Sequence, residues 1–222
     1  MATPTRRDKS SARPGASVQP AAAALSKGDA RRLQLLDAAA RCFREHGFHG
    51  TSIAKLSEAS GMSAGHIYHY FRNKEAIVAG IVERDLEQVL ARAQTLRTAS
   101  QSIGVIQACV SQVDAGIALR ADRAPAALSL EILAEATRNA EIATLLEEAD
   151  RRSRSSTLEL LEALEPLKPL TAKEKAARVT VLYALFDGLI VRSLVDPTLN
   201  RAATSKVIQR VVRMLLQDEQ TE

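Results

Sequence analysis

Residues 51–75, TSIAKLSEASGMSAGHIYHYFRNKE, set two short apolar-periodic segments around one glycine, and that spacing leaves the backbone few ways to fold. Ile53, Leu56 and Ala59 recur as one face of a helix that starts at Thr51, and Ile67 and Phe71 repeat at i, i+4 in the segment after it. Between them, Gly61 supplies the positive φ that lets a chain reverse within a few residues, and Ser63 offers the side-chain oxygen that caps a new helix. Upstream, Leu33, Leu36, Ala40 and Phe43 give a supporting helix one apolar face, and His46 and Gly47 end it, glycine being suited to a left-handed cap. The unit is three helices with a tight turn between the second and third.

In the third helix Ile67 and Phe71 face inward, so Ala64, Gly65, His66, Tyr68, His69 and Tyr70 lie mostly on its other faces. This is how a helix-turn-helix presents itself to the DNA major groove. The small side chains of Ala64 and Gly65 allow close approach to base edges, and the helix N-terminus at Ser63 favours a phosphate. His66 and His69 can bond base edges, while Tyr68 can reach a phosphate through its hydroxyl and pack its ring on a sugar or a thymine methyl. Thr51 and Lys74, each expected at the start of a helix, suit phosphate contacts that position without specifying bases. Tyr70 reads equally well as a core aromatic. Charge agrees: residues 1–74 carry 12 Lys plus Arg and 5 Asp plus Glu, whereas residues 75–222 carry 18 and 21. Basic groups, all four His and five of the seven aromatic residues therefore gather where nucleic acid would be met.

The order TSxxxLSEASGMSxGxIYHYFRNKE, preceded by FREHGFHG and followed by a long amphipathic helix, resembles the DNA-binding domain of the TetR family of bacterial transcriptional regulators. The resemblance covers roughly residues 30–80 closely; the remainder resembles the family as a string of helices of fitting length. It implies an all-α homodimer, usually a repressor, whose C-terminal domain binds a small inducer and alters the spacing of two reading heads. Family positions matching Thr51, Ser63, Ala64, Gly65, His66, Tyr68, His69, Tyr70 and Lys74 commonly touch DNA. Ala64 and His66 depart from the longer polar or Thr-like residues frequent there, so the operator does not transfer by analogy.

Three regions are expected: a disordered basic tail (1–28), the helix-turn-helix domain (29–75), and a helical effector-binding and dimerisation domain (76–222), with about nine helices in all. The tail, rich in Ala, Ser, Pro, Gly and Arg, lacks the apolar residues a core needs; Arg6, Arg7, Lys9 and Arg13 make it a candidate DNA-contacting arm. Beyond residue 75, Asn73 caps a fourth helix to about Leu96, and Ile103, Ile106, Val110, Val113 and Ile117 stripe a fifth. Pro125 suits the first turn of a sixth, Asn139 divides it from a seventh reaching Pro166, and Thr171 with Glu174 forms a capping box for an eighth. A ninth spans about 199–217. The eighth is apolar on nearly every side, so Leu182, Leu185 and Leu189, with Val207, Val211 and Met214 of the ninth, are expected to form a dimer interface; in many family members the last two helices pair with their mates.

The expected effector pocket draws on Cys109, Val113, Leu130, Tyr183, Phe186 and Asp187. The segment EILAEATRNAEI (131–142) is similar to one in several family members, including efflux and choline-responsive regulators, but reads as packing. A quaternary ammonium needs an aromatic cage, and only Tyr183 and Phe186 follow residue 75, so an aliphatic or weakly polar effector is expected.

Other functions fare less well. Cys42, His46 and His49, with His66 and His69, have metal-ligand chemistry, and Cys109 offers a thiol for redox sensing, although nothing basic beside it would activate it. No metal or cofactor is expected. An architectural DNA-binding protein is the other binding-class alternative. No nucleophile elbow, phosphate loop or paired-carboxylate motif suggests an enzyme. The longest apolar run, around Val179–Val195, contains Thr180, Asp187, Arg192 and Ser193, which lipid would penalise. Two cysteines are too few for a disulfide framework and suggest a reducing, cytoplasmic setting.

Overall fold

The structure, a computed structural model, describes residues 26–162, 164 and 169–217. The basic tail, apart from its last three residues, and the expected helix end at Pro166 lie outside the described residues. The first helix, α1 (Lys27–Gly50), begins where Ser26 accepts a hydrogen bond from the Asp29 amide. It is broken at Gly47, whose φ of 71° and ψ of 169° lie outside the left-handed helical well and in territory that only glycine enters readily. After it come α2 (Ile53–Ser60), α3 (Ala64–Tyr70) and α4 (Lys74–Ile103). Then α5 (Val105–Ser111), α6 (Val113–Arg120), α7 (Arg123–Ala136), α8 (Ala140–Glu162), α9 (Ala172–Val195) and α10 (Arg201–Leu216) complete the described residues, which include no strand.

The expected turn is present: Gly61 caps α2 in the left-handed conformation (φ 67°, ψ 21°), and the Ser63 side chain accepts from the His66 amide. Carbonyls at the C-terminal end of α2, which an isolated helix leaves unpaired, are met from α1, by Gln34 on the Ser60 carbonyl (2.7 Å) and Arg41 on that of Ala59 (3.3 Å). Three details differ from the sequence reading. Ser52 caps α2, not Thr51. The fourth helix runs seven residues past Leu96 to Ile103, where Gly104 (φ 78°) ends it, and the fifth divides at Gln112 into α5 and α6. Ile103 therefore leaves the expected stripe and is half exposed, whereas Val110, Val113 and Ile117 remain buried. The Thr171–Glu174 capping box is complete.

Packing forms two cores. The first joins Leu35, Leu36, Phe43, Leu56, Met62, Ile67 and Phe71 to the opening turns of α4 (Ile77, Val78, Ile81, Val82) and to Leu128, Ile132 and Ile142 from α7 and α8. The second gathers Val110, Val113 and Ile117 with Leu161, Val179, Leu189, Ile208, Val212 and Leu216. The three-helix head thus shares its core with the helices expected to belong to a separate domain. Gly80 permits this: a Cβ there would lie 2.9 Å from both Leu36 and Phe71. Along α4, Arg152 on Glu83 (3.2 Å) and Arg97 on Glu159 (2.8 Å) tie the helix to α8.

A polar joint fixes the head on α7. Glu131 accepts from the buried Phe48 amide at 2.7 Å, Lys74 donates to the Phe48 carbonyl at 2.7 Å, and Thr51 donates to the Gly47 carbonyl at 2.8 Å. Beside them the buried Glu135 carboxylate meets His49 at 3.2 Å and Arg138 at 2.6 Å. Removing the acceptor strands a buried N–H, which costs about 1–3 kcal/mol. Glu131→Ala should therefore lower the thermal midpoint by several degrees, and calorimetric unfolding unchanged from the parent would show that the joint contributes nothing.

Candidate functional site

The outer edge of α3 is open to solvent. Ser63, Ala64, Gly65, His66, Tyr68 and His69 are all exposed, Tyr68 by 53 %, while Ile67 between them is fully buried. His69 stacks edge-on to Tyr70 at 5.2 Å, and Tyr70 is half-buried against the first core, which accounts for its dual reading. Two expected contacts change role. Thr51 has no exposure, and its hydroxyl is spent on the Gly47 carbonyl, so it cannot reach a phosphate from this position. Lys74 is half-buried, with its ammonium on the Phe48 carbonyl and 4.4 Å above the Phe48 ring; phosphate binding by this lysine competes with the joint. The side-chain oxygens of Ser52 and Ser63 both serve as caps.

Cys42 is buried in the first core, and His49 is engaged by Glu135. Among the described residues, no three His, Cys, Asp or Glu side chains are grouped as a metal ion requires. No helix among them is long and apolar enough to cross a membrane.

Within the second core, between α4, α5, α6, α8, α9 and α10, lies a largely apolar chamber of about 250 Å³. Of the residues expected there, Cys109, Val113, Tyr183 and Phe186 line it, but Leu130 and Asp187 do not. Leu130 sits on α7, which does not border the chamber. Asp187 turns outward and pairs with Arg120 at 3.5 Å; burial raises its pKa, and the Arg120 charge only partly offsets this. The Tyr183 hydroxyl bonds Ser153 (2.6 Å) and Thr157 (3.0 Å), so these polar groups of the wall satisfy one another. Gly116 makes room for Phe186, whose ring would lie 2.8 Å from a Cβ at that position. Unforeseen from sequence, Arg92 and Arg120 also border the chamber. They open onto a second, more polar cavity of about 420 Å³ beneath α1, which Arg44, Arg84 and Asp85 also line.

The expected dimer residues divide. Leu189 is buried in its own core, Leu182 lines the chamber and Leu185 packs beside it, because these side chains point inward on α9. The exposed stripe on that helix is instead Val181, Ala184, Gly188, Val191 and Val195, at alternating three- and four-residue steps. On α10, Val207 and Met214 are more than half or half exposed as expected, with Val211 half-buried between them.

A family model for bacterial regulatory proteins of the tetR family matches residues 35–81, and one for the C-terminal region of BetI-type transcriptional repressors matches residues 113–217. The chain is 32 % identical over 117 residues to the transcriptional regulator UidR of Escherichia coli, covering 52 % of this chain and 57 % of that one. It is 44 % identical over 62 residues to a transcriptional repressor of Mycobacterium tuberculosis, covering 28 % of this chain and 33 % of that one. These matches thus span from a third to just over half the length of the curated relatives. The solved structure of GusR from Salmonella enterica superposes with a TM-score of 0.70 at 26 % identity, over 86 % of this chain and 98 % of that one.

The two thiols bear on redox sensing. Burial pushes Cys109 up to about 11 and also raises Cys42, where the nearby Glu45 adds to the effect. Since the thiolate is the nucleophile, Cys109 holds roughly a thousandth of its thiol as thiolate at pH 8 if its pKa is 11. Alkylation of the folded protein at that pH should be far slower than that of free cysteine and should accelerate as pH rises toward 11. Rapid labelling of Cys109 at pH 7, followed by mass spectrometry, would contradict this.

Proposed function

The chain belongs to the TetR family of bacterial transcriptional regulators, and from that premise we propose that it acts as a dimeric, sequence-specific DNA-binding repressor released by a small molecule. The observation that carries the reading is the edge of α3. His66, Tyr68 and His69 stand exposed beside the bare backbone of Ala64 and Gly65, on a helix held rigidly by Ile67 and by the cap at Ser63. A helix so presented fits the major groove, with the histidines at base edges and Tyr68 on the backbone. The relatives' names as regulators and repressors support the same reading. The protein acts by binding rather than by catalysis, in the cytoplasm where the operator lies.

Dimerisation follows from the stripe on α9. Val181, Val191 and Val195, each about half exposed, flank Ala184 and Gly188, small residues that let a partner helix approach closely, and Val207 and Met214 extend the apolar surface onto α10. A large exposed apolar face marks an association site, and a two-fold pair of heads reads a two-fold operator. The chamber in the second core supplies the effector site.

Selection of bound sequences from a random duplex pool tests the reading. A two-fold motif bound far more tightly than random DNA is expected; uniform weak binding would favour an architectural role. Against the selected operator, Tyr68→Phe should weaken binding by about ten- to a hundredfold, the worth of one hydrogen bond to a charged group. His66→Ala should relax preference at one base position by about 1–3 kcal/mol; an unaltered preference profile would remove His66 as a reader. Val191→Glu should give monomers with greatly reduced operator affinity, and a dimer by light scattering would move the interface elsewhere.

A further inference from the structure

The chamber and the cavity beneath α1 meet at one place, where Arg92 of α4 and Arg120 of α6 border both, together with Val89 and Leu119. The charges there do not balance. Four arginines line the lower cavity: Arg44, Arg84, Arg92 and Arg120. Three aspartates answer them: Asp37 on Arg84 at 2.7 Å, Asp85 on Arg84 at 3.8 Å, and Asp187 on Arg120 at 3.5 Å. Among the described residues Arg92 has no carboxylate within ion-pair distance. The Nε of Arg84 is buried and has no hydrogen-bond partner, an omission that native interiors rarely tolerate. Arg92 is itself exposed; partial burial and then the Arg120 charge lower its pKa, and the Asp85 charge acts against them. Arginines at the site outnumber their aspartate partners by four to three.

Above this junction the chamber offers the opposite chemistry. Leu96, Val113, Leu160 and the Phe186 ring wall it, and its Tyr183 hydroxyl is already bonded to Ser153 and Thr157. We propose that the effector is a monoanionic amphiphile, a carboxylate on an aliphatic or aromatic body, with its head between Arg92 and Arg120 and its body in the chamber. This rests on the reading of the chamber as the effector site and names the ligand class that site takes. A carboxylate suits the planar fork of guanidinium, which binds it bidentately. A cation is repelled by both arginines, and two aromatic rings make an incomplete cage. The head group also explains how binding reaches DNA. Arg92 lies on the helix whose first turns belong to the reading head's core, and the cavity it borders is roofed by Ala40 and Arg44 of α1. A carboxylate drawing Arg92 toward Arg120 pulls α4 against α6 and shifts the head that α4 carries.

Calorimetry on the full chain without DNA tests the site, with decanoate, 1-decanol and decyltrimethylammonium as probes, each below its aggregation limit. Decanoate should bind and the other two should bind at least about tenfold more weakly, the worth of a charge-assisted pair. Arg92→Met and Arg120→Met should each weaken decanoate binding by about tenfold or more while leaving decanol binding unchanged, with Arg92→Lys intermediate. Unchanged melting curves verify that the variants are folded. Equal affinity for decanol, tighter binding of the cation, no decanoate binding at millimolar concentration, or decanoate affinity unchanged in both methionine variants would overturn the proposal. Operator retention measured separately isolates the underlying reading: arginine-dependent decanoate binding without operator release upholds the anion site and counts against the effector role alone.

Discussion

The peptide unit of Phe48 is the point on which the arrangement of this molecule turns. Its N–H is taken by Glu131 of α7 and its carbonyl by Lys74 at the start of α4, while its ring lies under the Lys74 ammonium. A buried backbone group needs a partner, and here each partner comes from a different helix, so the orientation of the head toward the rest of the protein is set by two short hydrogen bonds. Gly47 makes the geometry possible, since its φ of 71° with an extended ψ turns α1 sharply into that peptide. A side chain at Gly47 would also meet Glu131, 3.1 Å from where a Cβ would stand.

Around that joint, α8 contributes to both cores, through Ile142 and Leu161, and α4 runs beside it from the first core to the wall of the chamber. Its opening turns pack on Leu36 and Phe71, its middle carries Arg84, Asp85 and Arg92 along the lower cavity, and Leu96 reaches the chamber wall. The ion pairs of Glu83 and Arg97 with α8 hold its flank. Between close-packed cores a helix moves as a body rather than bending gradually. On the proposed effector reading, α4 is the element that would carry occupancy of the chamber to the head, since it touches both.

Much of this was legible in the sequence where a residue type has one use. Gly61, Ser63, Asn73, Pro125, Asn139, Thr171 and Glu174 mark turns and caps that depend on local backbone chemistry, and the helices begin or turn where they indicate. The outward residues of α3 were equally readable, because Ile67 and Phe71 fix which face is inside. What failed depended on choosing among neighbours on an apolar helix. With leucine and valine on almost every side of α9, periodicity could not say that Leu182 and Leu189 face inward and Val181 and Val191 outward. Thr51 and Ser52 are both plausible caps, and only the Gly47 carbonyl decides between them. The arginines of the cavity were missed because charged residues on a long helix usually mean solvent. Asp85, Gln88, Arg92 and Leu96 do follow one helical face, but their meaning depends on Arg120, which arrives from a separate helix.

His66 and Tyr68 make no side-chain hydrogen bond within the described chain, and the backbone beneath them is held by Ile67, Ser63 and the α1 side chains that cap α2. The residues that face solvent and those that hold the fold are thus separate on the same seven-residue helix. Substitutions at 66 and 68 should therefore leave the fold almost untouched, so on the proposed reading a change of base preference would cost little stability. The joint at Phe48 offers no such freedom, because its buried N–H and carbonyl are each met by a side chain from a different helix.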